Sequence, residues 1–482
     1  MDDGRPVMMY QWWSLIPFAA MLACIALLPV LTRTAHWWES RRHQMFVSLL
    51  LGVPVTVWLL LVVGKEPLTA TVIEYVQFIA LLFALYVISG GIHLEGDIEA
   101  TPGVNTVFLA VGGLLASAIG TTGAAMLVIR PLLATNRERT HRVHTVLFTI
   151  FVVANCGGLL TPLGDPPLFL GFLHGVPFTW TLGLWKEWAF VLVLLLLMYY
   201  SLDTVYHASE TPTALRRDRT EVTPLRIRGG WNLVLLAVVV AAVAFVPSWD
   251  EETLLSGHAG LAQWIPWREV VMLGAAALSL WGTDRVVRWR ENSFSWAPIV
   301  EVATLFVGIF ATMAPALRFL EQVAPQLPLN RTTFFVLTGG LSSVLDNAPT
   351  YLTFFEMAKS LGPEGVPSAH ATLVAGVPEY YLVAISLGAV MCGALTYIGN
   401  GPNFMVKSVA ESEGVAMPSF GRYVVDAGIL LLPVLAAMAL VFVVPGLWAS
   451  VAGWVIAAVL VGISVGRVWR TRGPLSVRGS RG

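Results

Sequence analysis

The amino-acid sequence predicts an all-α polytopic membrane protein. It reads as two inverted repeats, each with a re-entrant hairpin and a broken helix, within about eleven spanning helices. Three observations predict this. The 482 residues are 56% hydrophobic and 12% charged, with mean hydropathy +0.73, where a soluble domain carries roughly a quarter charged residues. The stretch Leu160-Thr161-Pro162-Leu163-Gly164-Asp165-Pro166-Pro167 is written again as Leu395-Thr396-Tyr397-Ile398-Gly399-Asn400-Gly401-Pro402, 235 positions on (160 to 395), with Leu, Thr, Gly and the final Pro in register. When the spans are counted out, the basic loops all fall on one side.

Apolar runs of roughly 20 residues predict spans near 11–33, 44–64, 72–92, 144–173, 180–200, 231–247, 266–285, 296–320, 380–410, 422–445 and 447–466. The run from Trp12 to Leu31, preceded by Asp2, Asp3 and a single Arg5, is too long and too weakly basic at its front for a cleaved signal peptide. Two stretches, 104–134 and 332–361, are too long for one helix and too short for two spans. They break at Gly120-Thr121-Thr122-Gly123 and Asp346-Asn347-Ala348-Pro349, and both read as re-entrant hairpins.

The segments Arg33–Arg42, Arg137–Arg142, Arg216–Arg228, Arg285–Arg290 and Arg467–Arg472 are basic. With the hairpins re-entrant they share one side, which the positive-inside rule makes cytoplasmic. The acidic loop Asp250-Glu251-Glu252 and the N-terminus then lie outside and the C-terminus inside, as in a bacterial inner (plasma) membrane. An odd number of spans separates the hairpins, so the halves are inverted. Within the hairpins, Gly113, Leu115, Ser117 and Ile119 fall on Gly339, Leu341, Ser343 and Leu345 at an offset of 226 (113 to 339). The divisions that follow are an N-terminal helix and loop (1–43), a first repeat (44–206), a cytoplasmic linker (207–229), a second repeat (230–445), and a last helix with a basic tail (446–482).

Gly and Pro interrupt each copy of the repeated octet, leaving backbone groups unpaired. At membrane depth that is tolerated only inside protein or against a watery cavity, and paired breaks in two halves point to a transporter binding site. The polar residues of the four broken elements are Thr121, Thr122, Thr161, Asp165, Asp346, Asn347, Thr350, Thr396, Asn400 and Asn403. All offer oxygen, which suits a hard cation such as sodium. No His or Cys cluster accompanies them, so a transition-metal site is not expected. Cys24, Cys156 and Cys392 lie in apolar runs and read as helix-packing residues.

Asp165 and Asp346 matter most, because a charge inside the membrane is costly and marks function by default. The plainer reading is that each caps the helix that follows it; the two roles are compatible. His93, Glu95, Asp97 and Glu99 read as a solvated acidic loop, Glu301 and Arg318 as snorkelling to the interfaces, and Arg130 as sitting near the inner surface. The tryptophans near helix ends form an aromatic belt.

At these motifs the chain resembles the ion transporter superfamily. Gly164-Asp165-Pro166-Pro167 and Leu345-Asp346-Asn347-Ala348-Pro349 look like its NhaD-type sodium/proton antiporter branch and the citrate transporters grouped with it, over roughly residues 44–445. The resemblance implies a scaffold part and a transport part in each half, a homodimer, and elevator-like carriage of the site. Carboxylate symporters of the superfamily are known for a Ser-Asn-Thr triplet at each tip; here the tips read Gly120-Thr121-Thr122 and Asp346-Asn347-Ala348, which argues against an anionic substrate.

The first expectation is therefore sodium/proton exchange with no resident cofactor, sodium and protons being the cargo and Asp165 and Asp346 the candidate sodium ligands. The alternative is a sodium-coupled citrate or dicarboxylate symporter, in which helix N-termini hold the anion. A membrane enzyme is a third class, poorly supported because HExxH and GxSxG are absent and Ser342-Ser343 has no nearby base. A metalloid exporter would need its ATPase on another chain, and no nucleic-acid partner is expected.

Overall fold

The computed structural model describes residues 10–29, 31, 33–220, 222–249, 254, 261–361 and 372–472. The expected outer positions of Asp2, Asp3 and Asp250-Glu251-Glu252, and the basic tail from 473 onward, lie outside the described residues. Helix dominates the described residues, with four short strands. In order it runs α1 (Leu15–Leu27), α2 (Arg41–Val62), α3 (Glu66–Ser89), β1 (His93–Asp97), α4 (Pro102–Ile119), α5 (Thr121–Thr135), α6 (Val143–Phe148), α7 (Pro166–Leu173), α8 (Trp185–Ala208), α9 (Pro212–Thr220) and β2 (Thr223–Arg228). It continues with α10 (Asn232–Phe245), α11 (Trp267–Gly282), α12 (Ala297–Val323), α13 (Arg331–Ser342), α14 (Asn347–Ser360), β3 (Leu373–Val374), β4 (Val377–Pro378), α15 (Glu379–Cys392), α16 (Gly401–Ser412), α17 (Phe420–Leu430), α18 (Leu432–Met438) and α19 (Leu447–Arg472).

The protein is an all-α polytopic membrane protein. Among the described residues seven helices are long and apolar enough to cross a membrane, or eight when Phe420–Leu430 and Leu432–Val443, bent by 41°, count as one. The eleven expected spans are thus not all full-length helices. Trp12–Leu27, Asn232–Phe245 and Glu379–Leu395 are apolar but short: a 14-residue helix such as α10 reaches about 21 Å, against a hydrocarbon core of about 30 Å. Hydropathy counts apolar residues whether or not they are helical, so it overstates segments whose ends unwind.

Both suspected hairpins fold back. The arms α4 and α5 meet at Gly120, whose φ of 83° a residue with a Cβ rarely adopts. At the open end, Asn105 of α4 and Asn136 after α5 exchange amide hydrogen bonds of 2.9 Å in both directions, so the arms are antiparallel. In the second hairpin, Phe334 near the start of α13 packs edge-on against Phe354 in α14, centroids 6.3 Å apart.

The acidic run and the linker depart from expectation. Instead of a solvated loop, His93–Asp97 forms a strand that pairs antiparallel with Thr223–Arg228, with Glu95 opposite Arg226 and His93 opposite Arg228. Asp218 accepts hydrogen bonds from the Ala100 amide at 3.0 and 3.1 Å, and Arg219 meets Glu99 at 2.8 Å. Complementary charge, acidic on one segment and basic on the other, turns the presumed linker 207–229 into a strap across the mouth of the first hairpin.

Candidate transport site

Helix α6 does not run on as a regular helix. It passes through a π turn at Thr149–Val153 and a 3-10 turn at Cys156–Leu160, then opens at Thr161–Asp165 before α7 resumes. In the second half α15 ends, a 3-10 turn covers Gly393–Leu395, and the chain opens at Thr396–Asn400 before α16. Pro166-Pro167 and Pro402 suit the first turn of the resuming helices, where an N–H has no partner to lose.

The two breaks are copies in three dimensions as well as in sequence. Thr161 has φ −141°, ψ 158° and Thr396 φ −135°, ψ 168°; Asp165 has −145°, 142° and Asn400 −151°, 136°. The Thr161 hydroxyl donates to the carbonyl of Ser117, and the Thr396 hydroxyl to that of Ser343. Those serines are the pair matched between hairpins at the offset of 226. Close approach explains the glycines: a Cβ on Gly164 would collide with the carbonyl of Gly158, and one on Gly399 with that of Gly393.

All four broken elements meet at Asp165, which is 1% exposed. Thr121 Oγ1, at the first tip, donates to Asp165 Oδ1 at 3.0 Å. Asn347 Nδ2, at the second tip, donates to Oδ2 at 2.5 Å, and Asn400 Nδ2, in the opposite break, donates to Oδ1 at 3.2 Å. A cavity of about 120 Å³ opens beside them, walled by Leu81, Leu85, Phe169 and Phe306 and lined also by Thr121, Thr122, Asp165, Asp346, Asn347 and Asn400. No Lys, Arg or His is among the described residues that line it. The N-termini of α5, α7, α14 and α16 all begin here. Their positive ends offset the buried negative charge that no basic side chain among the described lining residues balances.

The capping reading separates the two aspartates. Asp346 Oδ1 accepts from the Ala348 amide at 3.0 Å and caps α14. Asp165 stands at the N-cap position of α7 and makes no side-chain capping bond; its oxygens go to three other elements instead.

Four candidates sit outside the cavity wall. Thr161 and Thr396 fasten the breaks to the hairpins as described. The Thr350 hydroxyl donates to the Asp346 carbonyl at 2.9 Å, within its own helix. Asn403 donates to the carbonyls of Gly393 and Thr396 at 2.8 and 2.9 Å and so satisfies the orphan acceptors of the break.

Two features went unnoticed in the sequence. Asn155, fully buried, donates to Asn403 Oδ1 at 2.6 Å and accepts from Asn400 Nδ2 at 3.1 Å, tying the halves together beneath Asp165. A lone amide in the apolar run Thr149–Cys156 was the available signal. The second is a network in which Asp203 receives Arg139 at 2.6 Å and His144 at 2.8 Å, with Asn105 at 3.1 Å; it locks the mouth of the first hairpin to α8. Nothing in the spacing of these residues brings them together before the fold is known. Glu301 accepts from Gln44 Nε2 at 3.0 Å, and Arg318 meets Glu321 at 3.3 Å, so both have protein partners.

A buried carboxylate ringed by side-chain amides and a hydroxyl can accept donors, as here. It can also share a cation with their oxygens, because a half-turn of an Asn side chain exchanges its NH₂ for its C=O without changing shape. Comparison with curated proteins finds no match. The model of a family described as "Putative citrate transport" matches residues 7–443, which takes in every element of the site. The chain belongs to that citrate transport family, a branch of the ion transporter superfamily, and is an integral membrane transporter.

Proposed function

We propose that the chain is a secondary active transporter that exchanges sodium for protons through the cavity at Asp165 and Asp346. The observation that carries this reading is the charge of the cavity: two carboxylates and no basic side chain among the described lining residues. An anion entering alone would meet repulsion, whereas a sodium ion or a proton would relieve it. Either occupant neutralises Asp165, so the two compete for one site, and competition is the essence of exchange. Thr121, Asn347 and Asn400, each within 3.2 Å of the carboxylate, would supply further oxygens. Access would alternate by elevator-like movement of hairpins entering from opposite faces, in a homodimer in the bacterial inner membrane with the N-terminus outside.

The second reading, sodium-coupled uptake of citrate or another carboxylate, is favoured by the family's description and by the four helix N-termini that meet at the cavity, a ready-made setting for an anion. In that reading sodium covers the aspartates and the anion follows.

One experiment separates the two. The purified protein is reconstituted in liposomes, a pH gradient is imposed, and sodium, lithium, potassium or citrate is added in turn. Exchange predicts that sodium alone dissipates the gradient. Dissipation that requires citrate would overturn exchange and establish symport.

A further inference from the structure

We propose that His174, Glu74 and Glu356 form a second proton-binding site, separate from the Asp165 cavity, that sets the pH dependence of transport; the proposal rests on the exchange reading above. His174 follows the last residue of α7, Glu356 lies in α14 and Glu74 in α3. Its ring Nε2 stands 3.5 Å from Glu74 Oε1 and 3.6 Å from Glu356 Oε1, while Nδ1 stands 3.0 Å from the carbonyl of Leu170.

A carbonyl oxygen can only accept, so Nδ1 carries hydrogen. A neutral ring would then turn the Nε2 lone pair toward two carboxylates, which is repulsive. The arrangement is satisfied when one further proton is held, on Nε2 as imidazolium or on one of the carboxyls. The three groups thus form a one-proton store built from three elements.

The setting reinforces it. The triad borders a cavity of about 370 Å³ that Tyr10, Glu66, Arg318, Glu321 and Lys359 also line. Arg318 is paired with Glu321 at 3.3 Å, and Lys359 lies 3.9 Å from Glu356 Oε2. Among the described lining residues, four glutamates against one arginine and one lysine leave two negative charges in excess before His174 is counted. The Phe355 ring packs against the imidazole in a T-shaped contact, centroids 5.8 Å apart.

Position gives the store its role. Helix α7 runs between Asp165, at its N-cap, and His174, just past its last residue. Helix α14 begins with Asn347, which donates to Asp165, and carries Glu356; α3 carries Glu74 and, through Leu81 and Leu85, walls the transport cavity. The nine residues from Asp165 to His174 span about 13 Å of helix. Taking up or losing the proton changes the attraction of α7 to α3 and α14 at their far ends, and the same three helices frame the transport site.

The test uses the full chain. His174→Asn keeps a donor for the Leu170 carbonyl and removes the titrating group; the pair Glu74→Gln and Glu356→Gln keeps the ring and removes its counter-charges. In proteoliposomes, both are expected to shift the pH of half-maximal sodium-driven proton movement by at least half a unit relative to wild type, with the rate at the new optimum within threefold. Superimposable profiles, or a rate lowered equally at every pH, would overturn the proposal. Histidine ring NMR on the purified protein is independent of transport. The signal missing from the His174→Asn spectrum is expected to titrate at lower pH in the Gln pair, and an unmoved titration would overturn the store. If the NMR shift appears but no sodium-driven proton movement is seen in wild type, the store stands as a site and the exchange reading fails.

Discussion

Asp165 and Asn400 occupy the same place in two copies of one structure and differ by a single charge. Their backbone angles are nearly superimposable, −145°, 142° against −151°, 136°. Each break is closed by a threonine hydroxyl on a hairpin carbonyl and by a glycine pressed against a glycine carbonyl six residues upstream (158 to 164, 393 to 399). Since Asn400 forms the break without a charge, the fold does not require one at Asp165. The hairpin tips differ in the same sense: Asp346 stands where the first half has Gly120, and the first tip turns without it. The first break therefore keeps a carboxylate that its own copy shows to be dispensable for shape, which points to work done by the charge itself, whereas Asp346 also caps α14 through the Ala348 amide.

Neutralising that charge is expected to have the largest effect. Asp165→Asn should keep the break, as Asn400 does, and reduce sodium-driven proton movement in proteoliposomes to the level of empty vesicles while detergent-extracted protein elutes unchanged on gel filtration. Normal exchange in this variant would remove Asp165 from the mechanism. Asp346→Asn keeps a capping side chain and should also stop exchange; a variant that merely melts lower would leave capping as the whole role.

The charge swap sharpens the comparison. With Asp165→Asn and Asn400→Asp combined, the carboxylate count is preserved but the charge moves to the second break. Asn400 also touches Asn155 Oδ1 at 3.1 Å and the Ala154 carbonyl at 3.3 Å, both acceptors, which an aspartate would repel. Exchange is therefore expected to stay below about a tenth of wild type. Recovery to half or more would mean that the halves are interchangeable and the asymmetry incidental.

The repeats, the breaks and the hairpins were legible because Gly, Pro and small polar residues stand out in an apolar chain. Those signals are local. The meeting of Thr121, Asn347 and Asn400 at one carboxylate follows once the four breaks converge, which the repeat pattern predicts. Asn155 was missed because one amide among apolar residues carries no spacing, and Arg139, Asp203 and His144 because their contact is set by how α8 packs. The strap escaped for another reason: the end of β1 and the start of β2 are 126 residues apart (97 to 223), and each reads alone as a charged, solvated segment.

Two threonines test the shared framework rather than the difference. Thr161→Val and Thr396→Val each remove a hydroxyl that donates to a hairpin carbonyl and accepts from an amide two residues on, Leu163 or Ile398, at 3.2 Å. Each should cost about 1–3 kcal/mol, seen as similar falls in thermal midpoint. A marked inequality would show that one break is held by other contacts.

The smallest effect concerns the strap. Glu210 accepts from the amides of Thr140 and His141 at 3.0 Å. Burial pushes its carboxyl up, but these amide bonds outweigh it and hold the group below its ordinary 4.5. A depressed carboxyl stabilises the fold above its unfolded value and loses that contribution as pH falls through the folded one. Glu210→Gln is thus expected to melt slightly below wild type at pH 7, and the gap should close as pH drops below 4.5. A gap that persists unchanged at pH 3 would assign the effect to packing at the hairpin mouth instead of charge. The corresponding region of the second half carries no strap of this kind among the described residues, so the pH-dependent part of the effect belongs to the first hairpin.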